Sequence, residues 1–194
     1  MDFLILAQQC APGIEQSLVT RLMRQESSFN PYAIGMDGKD VFTPQPSSYE
    51  QAVEAAEKLI KEGQKFSVGI AQIHISNVRS FGLTWRQAFH ACTNLSYGQQ
   101  IFLDFHKKAL AAGFQGDGAV YAALRGYNSG SIHAAVSNRY ASSIMGQGRP
   151  TGASVPQRNV RDVQAKPSPS PYTADREEAP GIRSDGQSKE FFEE

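Results

Sequence analysis

The sequence predicts a mainly α-helical domain over residues 1–146, with at most a small strand pair, followed by a disordered tail over 147–194. Three observations lead there. Apolar residues recur every three or four positions in several segments bounded by capping and stop signals. Strict two-residue alternation is confined to one stretch, "FSVGIAQIHI". From Gly146 onward the composition turns to Pro, Gly, Ser and mixed charge, too poor in large apolar groups to offset the entropy of ordering it.

The elements follow in chain order. Pro12 sits where a first-turn proline would, ahead of Ile14, Leu18, Leu22 and Met23 on one helical face. Ser47 and Glu50 offer a capping box before Ala52, Val53, Ala56, Leu59 and Ile60, and Gly63 stops that helix. Thr84 and Gln87 repeat the pairing before a short helix holding Trp85, Ala88 and Phe89. Leu95 to Ala112 reads as a longer amphipathic helix with Phe102, Phe105 and Ala109 inward and Gly113 at its end. Ala119 to Leu124 is Ala-rich and helical, and Ile132, Val136, Tyr140 and Ile144 mark a last helix. No internal repeat is evident.

Composition excludes several classes of function. Lys plus Arg and Asp plus Glu each number 19, so the chain lacks the basic bias of a nucleic-acid binder. No apolar run approaches the roughly 20 residues that span a bilayer. The opening "MDFLILAQQC" has no basic n-region and no small-residue cleavage site, so it does not read as an intact signal peptide. The expectation is a leader missing from this sequence or export by another route. Cys10 and Cys92 have no neighbouring Cys or His at metal-ligand spacing. Spacing alone leaves open two buried thiols or one disulfide.

Three short stretches between the helices carry candidate chemistry. In "RLMRQESSFNPYAIG", Glu26 closes a helix, where the macrodipole disfavours its charge; desolvation beside Phe29 and Met23 would raise its pKa further. A carboxyl still protonated near neutral pH suits general-acid cleavage of a glycosidic bond, whereas an ordinary glutamate at a helix end is solvated. In "SVGIAQIHISN", a glycine among apolar residues followed by Gln72 reads as close backbone approach with one polar side chain facing a cleft, or as a plain buried turn. In "ALRGYNSG", Tyr127 and Asn128 end a helix before Gly130, which is also what an ordinary C-cap looks like.

In this order, "ESSFNPYAIG", "GIAQI" and "ALRGYNSG" resemble the three motifs of the soluble lytic transglycosylases, whose catalytic domain has a goose-type-lysozyme-like fold. The resemblance runs from about Cys10 to Ile144. "FNPYAIG", the insertion of about 30 residues ending in "FSVGIAQI", and "CTNLSYG" are more narrowly similar to the Vir-type transglycosylases of type IV secretion and conjugation systems. The resemblance implies a periplasmic, cofactor-free and metal-free enzyme that cuts peptidoglycan, with a Cys10–Cys92 disulfide. It implies Glu26 as catalytic acid, Ser27 orienting it or the substrate, Gln72 on the sugar, Tyr127 bonding near the Glu26 carboxyl and Asn128 shaping the same wall. Components of a secretion or conjugation complex are the expected partners, with the tail, which ends in "KEFFEE", as the docking segment. His74 departs from a frequent asparagine and reads as a hydrogen-bonded, partly buried histidine. Arg125 and Gly126 depart from small apolar residues, and Arg125 is expected to contact an anionic peptide or glycan. Asp37 and Asp40, in the insertion, are the carboxylates that a hydrolytic alternative would need.

Overall fold

A long helix forms the middle of the molecule, and its sequence explains why. In the computed structural model, which describes residues 2–38 and 42–146, this helix runs Ala91–Ala111 and turns Leu95, Ile101, Phe102, Phe105 and Ala109 into the core. In chain order the elements are α1 (Phe3–Cys10), α2 (Gln16–Ser27), β1 (Ile34–Met36), α3 (Tyr49–Lys61), β2 (Phe66–Val68) and β3 (Ile73–His74). They continue as α4 (Ile75–Ser80), α5 (Trp85–Phe89), α6 (Ala91–Ala111), α7 (Gly116–Ser129), a 3-10 turn (Ala135–Ser137) and α8 (Asn138–Met145). Helix α6 packs against α7 most extensively and also against α1 and α5, while α8 bridges α7 and α2.

The small sheet has three antiparallel strands in the order β1-β2-β3, one more than the strand pair expected. Ile34 pairs with Val68 and Val68 with Ile73, all buried; Gly35, Ser67 and His74 form the row beside them on the outer face. The third strand, β1, is three residues long, too short to display alternation. Among the described residues, Met23, Phe66, Phe89, Leu95, Tyr121, Leu124 and Ile144 are the larger side chains of the core. Each such burial stabilises by roughly 1.5–3 kcal/mol.

The caps show where local chemistry was read correctly and where it slipped. Thr84 and Gln87 form the expected capping box, and Gly63, Gly113 and Gly130 follow or close their helices with positive φ. The α3 cap is displaced by one residue: Ser48 Oγ accepts from Gln51 N, and Gln51 Oε1 accepts from Ser47 N. Pro12 is not in a helix. Ile14 N donates to Ala11 O, closing a turn around Pro12–Gly13, and α2 begins only at Gln16. The last helix begins at Asn138, so Ile132 lies in a turn and Val136 is 87% exposed. Helix α1 had no counterpart in the periodicity; Asp2 caps it by accepting from Leu4 N and Ile5 N. Cys10, its last residue, is disulfide-bonded to Cys92 on α6, closing a separation of 82 residues. The tail expected from 147 and the candidate carboxylate Asp40 lie outside the described residues.

Candidate active site

Glu26 occupies the last turn of α2, and two neighbouring segments enclose it. Helix α8 lies along α2: Arg21 Nε donates to Ile144 O at 2.6 Å, Ser143 Oγ donates to Gln25 Oε1, and the Tyr140 hydroxyl donates to Glu26 Oε1. Burial pushes the Glu26 carboxyl up from 4.5 to about 7, while the Tyr140 hydrogen bond pulls it down. The residue keeps a partly exposed surface, so the carboxyl is desolvated at the edge of the protein rather than sealed inside it. Burial and the charge of Glu26 together raise both Tyr127 and Tyr140 well above the usual phenol value. Both hydroxyls therefore stay protonated and can only donate to an anion.

The chain directly after Glu26 is strained. Ser28 and Phe29 both have positive φ, 51° and 68°. Ser28 N donates to Arg24 O and Phe29 N to Met23 O, a closure that glycine normally makes. The Phe29 ring is held in place by stacking on Phe3 of α1 at 4.4 Å and by the Arg24 guanidinium. The third non-glycine residue with positive φ among the described residues is Gln72, at 48°. All three fall in the stretches singled out from the sequence, as strain concentrated at functional sites does.

The turn Gly69–Gln72 joins the other two stretches to α2. Ser27 Oγ lies 2.8 Å from Ile70 O, and the Tyr127 hydroxyl donates to Ala71 O at 2.5 Å. The hydrogen bond expected from Tyr127 toward Glu26 thus goes to a backbone carbonyl, and Tyr140 is the residue that bonds the carboxyl. Gln72 Nε2 donates to Ala33 O and Gly69 O, which leaves Oε1, resting over Gly35, as the amide atom not committed to backbone. A Cβ on Gly35 would stand 2.4 Å from that oxygen, so a larger residue there would displace the Gln72 amide. Asn128 is exposed at the end of α7 and accepts from Ser137 Oγ, tying α7 to the segment that leads into α8.

Two departures from the family pattern resolve into local structure. Arg125 is 4% exposed and its Nε donates to Ala134 O, so it supports the loop after α7 instead of facing a ligand. His74 caps α4: its Nδ1 accepts from Ser76 N, which puts the ring proton on Nε2, facing Asp37 Oδ2 at 3.2 Å. Among the described residues no group of three His, Cys, Asp or Glu is placed to hold a metal, and no helix is long and apolar enough to cross a membrane.

The site draws on α2, the 69–72 turn, α7 and α8, and offers one carboxyl with its pKa raised to about 7 and the Tyr140 hydroxyl donating to it. Sequence reasoning singled out Glu26, Ser27, Gln72, Tyr127 and Asn128, and it did not single out Tyr140, whose hydroxyl bonds the Glu26 carboxyl. It had assigned Tyr140 to an apolar stripe, although a buried tyrosine hydroxyl needs a hydrogen-bond partner and that need was the available signal.

Comparison with known proteins gives the same region a family. The model of the transglycosylase SLT domain matches residues 3–145. The type IV secretion system protein virB1 of Brucella abortus (strain 2308) is 36% identical over 171 residues, spanning 86% of this chain and 67% of that protein. The protein of the same name from Brucella suis biovar 1 (strain 1330) gives the same figures. Protein virB1 of Rhizobium radiobacter is 27% identical over 146 residues, 74% of this chain and 59% of that protein. No solved structure matches the chain at a significant level. With the family model spanning both ends of the described helical domain, from α1 to α8, this chain belongs to the transglycosylase SLT domain family.

Proposed function

We propose that this lytic transglycosylase cleaves the MurNAc-β-1,4-GlcNAc bond of peptidoglycan without water, using Glu26 as its one acid–base. The observation that carries the reading is the buried Glu26 carboxyl, held by Tyr140 and pushed up to about 7. Protonated, it donates to the bridging oxygen as the C1–O bond of MurNAc breaks. The resulting carboxylate then takes the proton of the MurNAc 6-hydroxyl while O6 bonds to C1, and Glu26 ends reprotonated. The products are a free GlcNAc 4-hydroxyl and a 1,6-anhydro-MurNAc end. Acid–base work of this kind supplies roughly 10²–10⁴ in rate, and positioning supplies more. Gln72 Oε1 is the groove acceptor we assign to a sugar hydroxyl or amide, with Asn128 at the rim.

The causes of the Glu26 shift are burial and Tyr140, with no other carboxylate among the described residues contributing. That supports a reaction whose nucleophile belongs to the substrate. The hydrolytic alternative would draw on Asp37 or Asp40. Asp37 already accepts from His74, and we expect Asp37→Asn to keep wild-type turnover. Mass spectrometry of fragments released from purified sacculi tests the main reading. Anhydro ends, one water lighter than reducing ends, support it; reducing ends alone would reject it.

The relatives named as type IV secretion proteins support a role in opening the wall locally for such an apparatus, in the periplasm. The Cys10–Cys92 disulfide suits that oxidising compartment. Residues 147–194 are the segment we assign to partner docking. Their deletion is expected to spare turnover on sacculi and to weaken association with envelope components; unchanged association would rule the assignment out.

A further inference from the structure

Asn94, in "CTNLSYG", lies outside the three stretches that carry candidate chemistry, yet its side-chain bonds converge on the turn that joins them. It is the fourth residue of α6 and is fully buried. An amide there is costly unless its groups are paired. Asn94 Oδ1 accepts from Ala71 N at 2.8 Å, and Nδ2 donates to Val68 O at 2.9 Å and Ala88 O at 2.7 Å. The side chain thus grips the 69–72 turn at its entry and in its middle, and ties it to the end of α5.

The backbone around it is shaped for this approach. Gly69 has φ 81°, and a Cβ there would stand 2.2 Å from Asn94 Nδ2. One helical turn along α6, a Cβ on Gly98 would meet the Ala71 Cβ at 2.7 Å and the Tyr127 hydroxyl at 3.0 Å. Positions 94 and 98 share a helix face, so α6 presents a platform on which the turn rests.

What hangs from that turn gives Asn94 its significance. The Ile70–Ala71 peptide is held at both ends, its N–H by Asn94 and its carbonyl by Ser27, the residue after Glu26. The next carbonyl, Ala71 O, takes the Tyr127 hydroxyl, and the next residue is Gln72 with its strained φ. If the Ile70–Ala71 peptide rotates, Ser27 loses Ile70 O and is left with Met23 O, 3.1 Å away in its own helix, and the Tyr127 and Gln72 positions move together.

We propose that Asn94 is a positioning residue for the transglycosylase reaction, fixing the Ile70–Ala71 peptide so that Ser27, Tyr127 and Gln72 hold their places around Glu26. It touches no substrate and acts only through the turn. The proposal rests on the reading of Glu26 as the acid–base.

The test compares wild type, Asn94→Ala, Ser27→Ala and the double variant in the full chain, with turnover measured on purified sacculi from pH 5 to 9 and folding checked by circular dichroism. Asn94→Ala is expected to lower turnover by about 100-fold per folded molecule, the scale of a misplaced reacting group. It is also expected to move the alkaline limb below that of wild type, because a loosened turn admits water to the carboxyl. The double variant should be no worse than Asn94→Ala alone, since both residues hold one peptide. A folded Asn94→Ala with an unmoved limb, or losses that simply multiply in the double variant, would overturn the proposal. Should Asn94→Ala not fold, Ser27→Ala decides: a lowered limb with at least a 10-fold loss supports it, and wild-type behaviour rejects it. Glu26→Gln serves as a separate control, for turnover in that variant defeats the acid–base reading instead.

Discussion

Replacing Glu26 with Gln has a consequence for stability that can be worked from the site. The native carboxyl holds its proton up to about 7, whereas in the unfolded chain it loses it near 4.5. Between those values the folded state binds more protons than the unfolded state, so its stability falls as pH rises through that window. Above 7 the full cost is present. A shift of about 2.5 units at about 1.36 kcal/mol per unit makes it about 3 kcal/mol at most. Gln cannot ionise, and its amide oxygen can still accept from Tyr140. Glu26→Gln should therefore match wild type in urea unfolding near pH 4.5 and exceed it by about 2–3 kcal/mol at pH 8. At this chain size that corresponds to roughly 2–4 °C in Tm per kcal/mol. Turnover on sacculi should be lost at every pH. A stability difference that stays flat from pH 4 to 9 would show that the carboxyl titrates in its ordinary range, and a proton donor at neutral pH could not then be Glu26.

Three further outcomes follow from the same geometry. Tyr140→Phe removes the bond that lowers the Glu26 value, so the alkaline limb of kcat/KM should rise above the wild-type position near 7, with turnover reduced about 10-fold; a limb that falls would contradict the assignment. Replacing Cys10 and Cys92 together with Ser should cost roughly 4–5 kcal/mol by the chain-entropy relation for a loop of 82 residues, read as a lower urea midpoint. Gly126→Ala puts a Cβ 2.4 Å from the Phe105 ring between α7 and α6. It should destabilise by about 1–3 kcal/mol while leaving the pH profile of the folded enzyme in place.

The fold was legible wherever a residue's own chemistry decides its local conformation. Thr84 with Gln87, and glycines 63, 113 and 130, announce helix ends because their caps need only near neighbours in sequence. The misplacements occur where distant contacts decide. Pro12 looks like a first-turn proline, but Gly13 N is claimed by Gln99 from α6 and the chain turns before α2 can begin. Ile132 and Val136 keep the four-residue spacing of a helix, yet Ser137 is drawn to Asn128 across the gap and α8 starts only after it. Helix α1 rests on Phe3 stacking against Phe29 and on the bond from Cys10 to Cys92, neither of which leaves a periodic trace.

The candidate residues could be named from the sequence, but not the bonds they make. Glu26 could be suspected from its place at a helix end, but the dipole argued for there is not the leading cause of its shift; burial is, and burial is assembled by α8 from more than 100 positions away. Tyr127 is found by its surroundings in the chain, while the partner of its hydroxyl is a carbonyl 56 residues earlier. Backbone carbonyls are identical in every sequence, so no motif can announce which one a side chain will take. Asn94 illustrates the same limit from the other side. Its sequence marks it only as one residue of "CTNLSYG", and only the tertiary fold reveals that its side-chain bonds all leave the helix for β2, the turn beside Gln72 and the end of α5. A residue of this kind is recognised by asking where each buried polar group finds its partner, and the answer here leads back to Glu26 through Ser27.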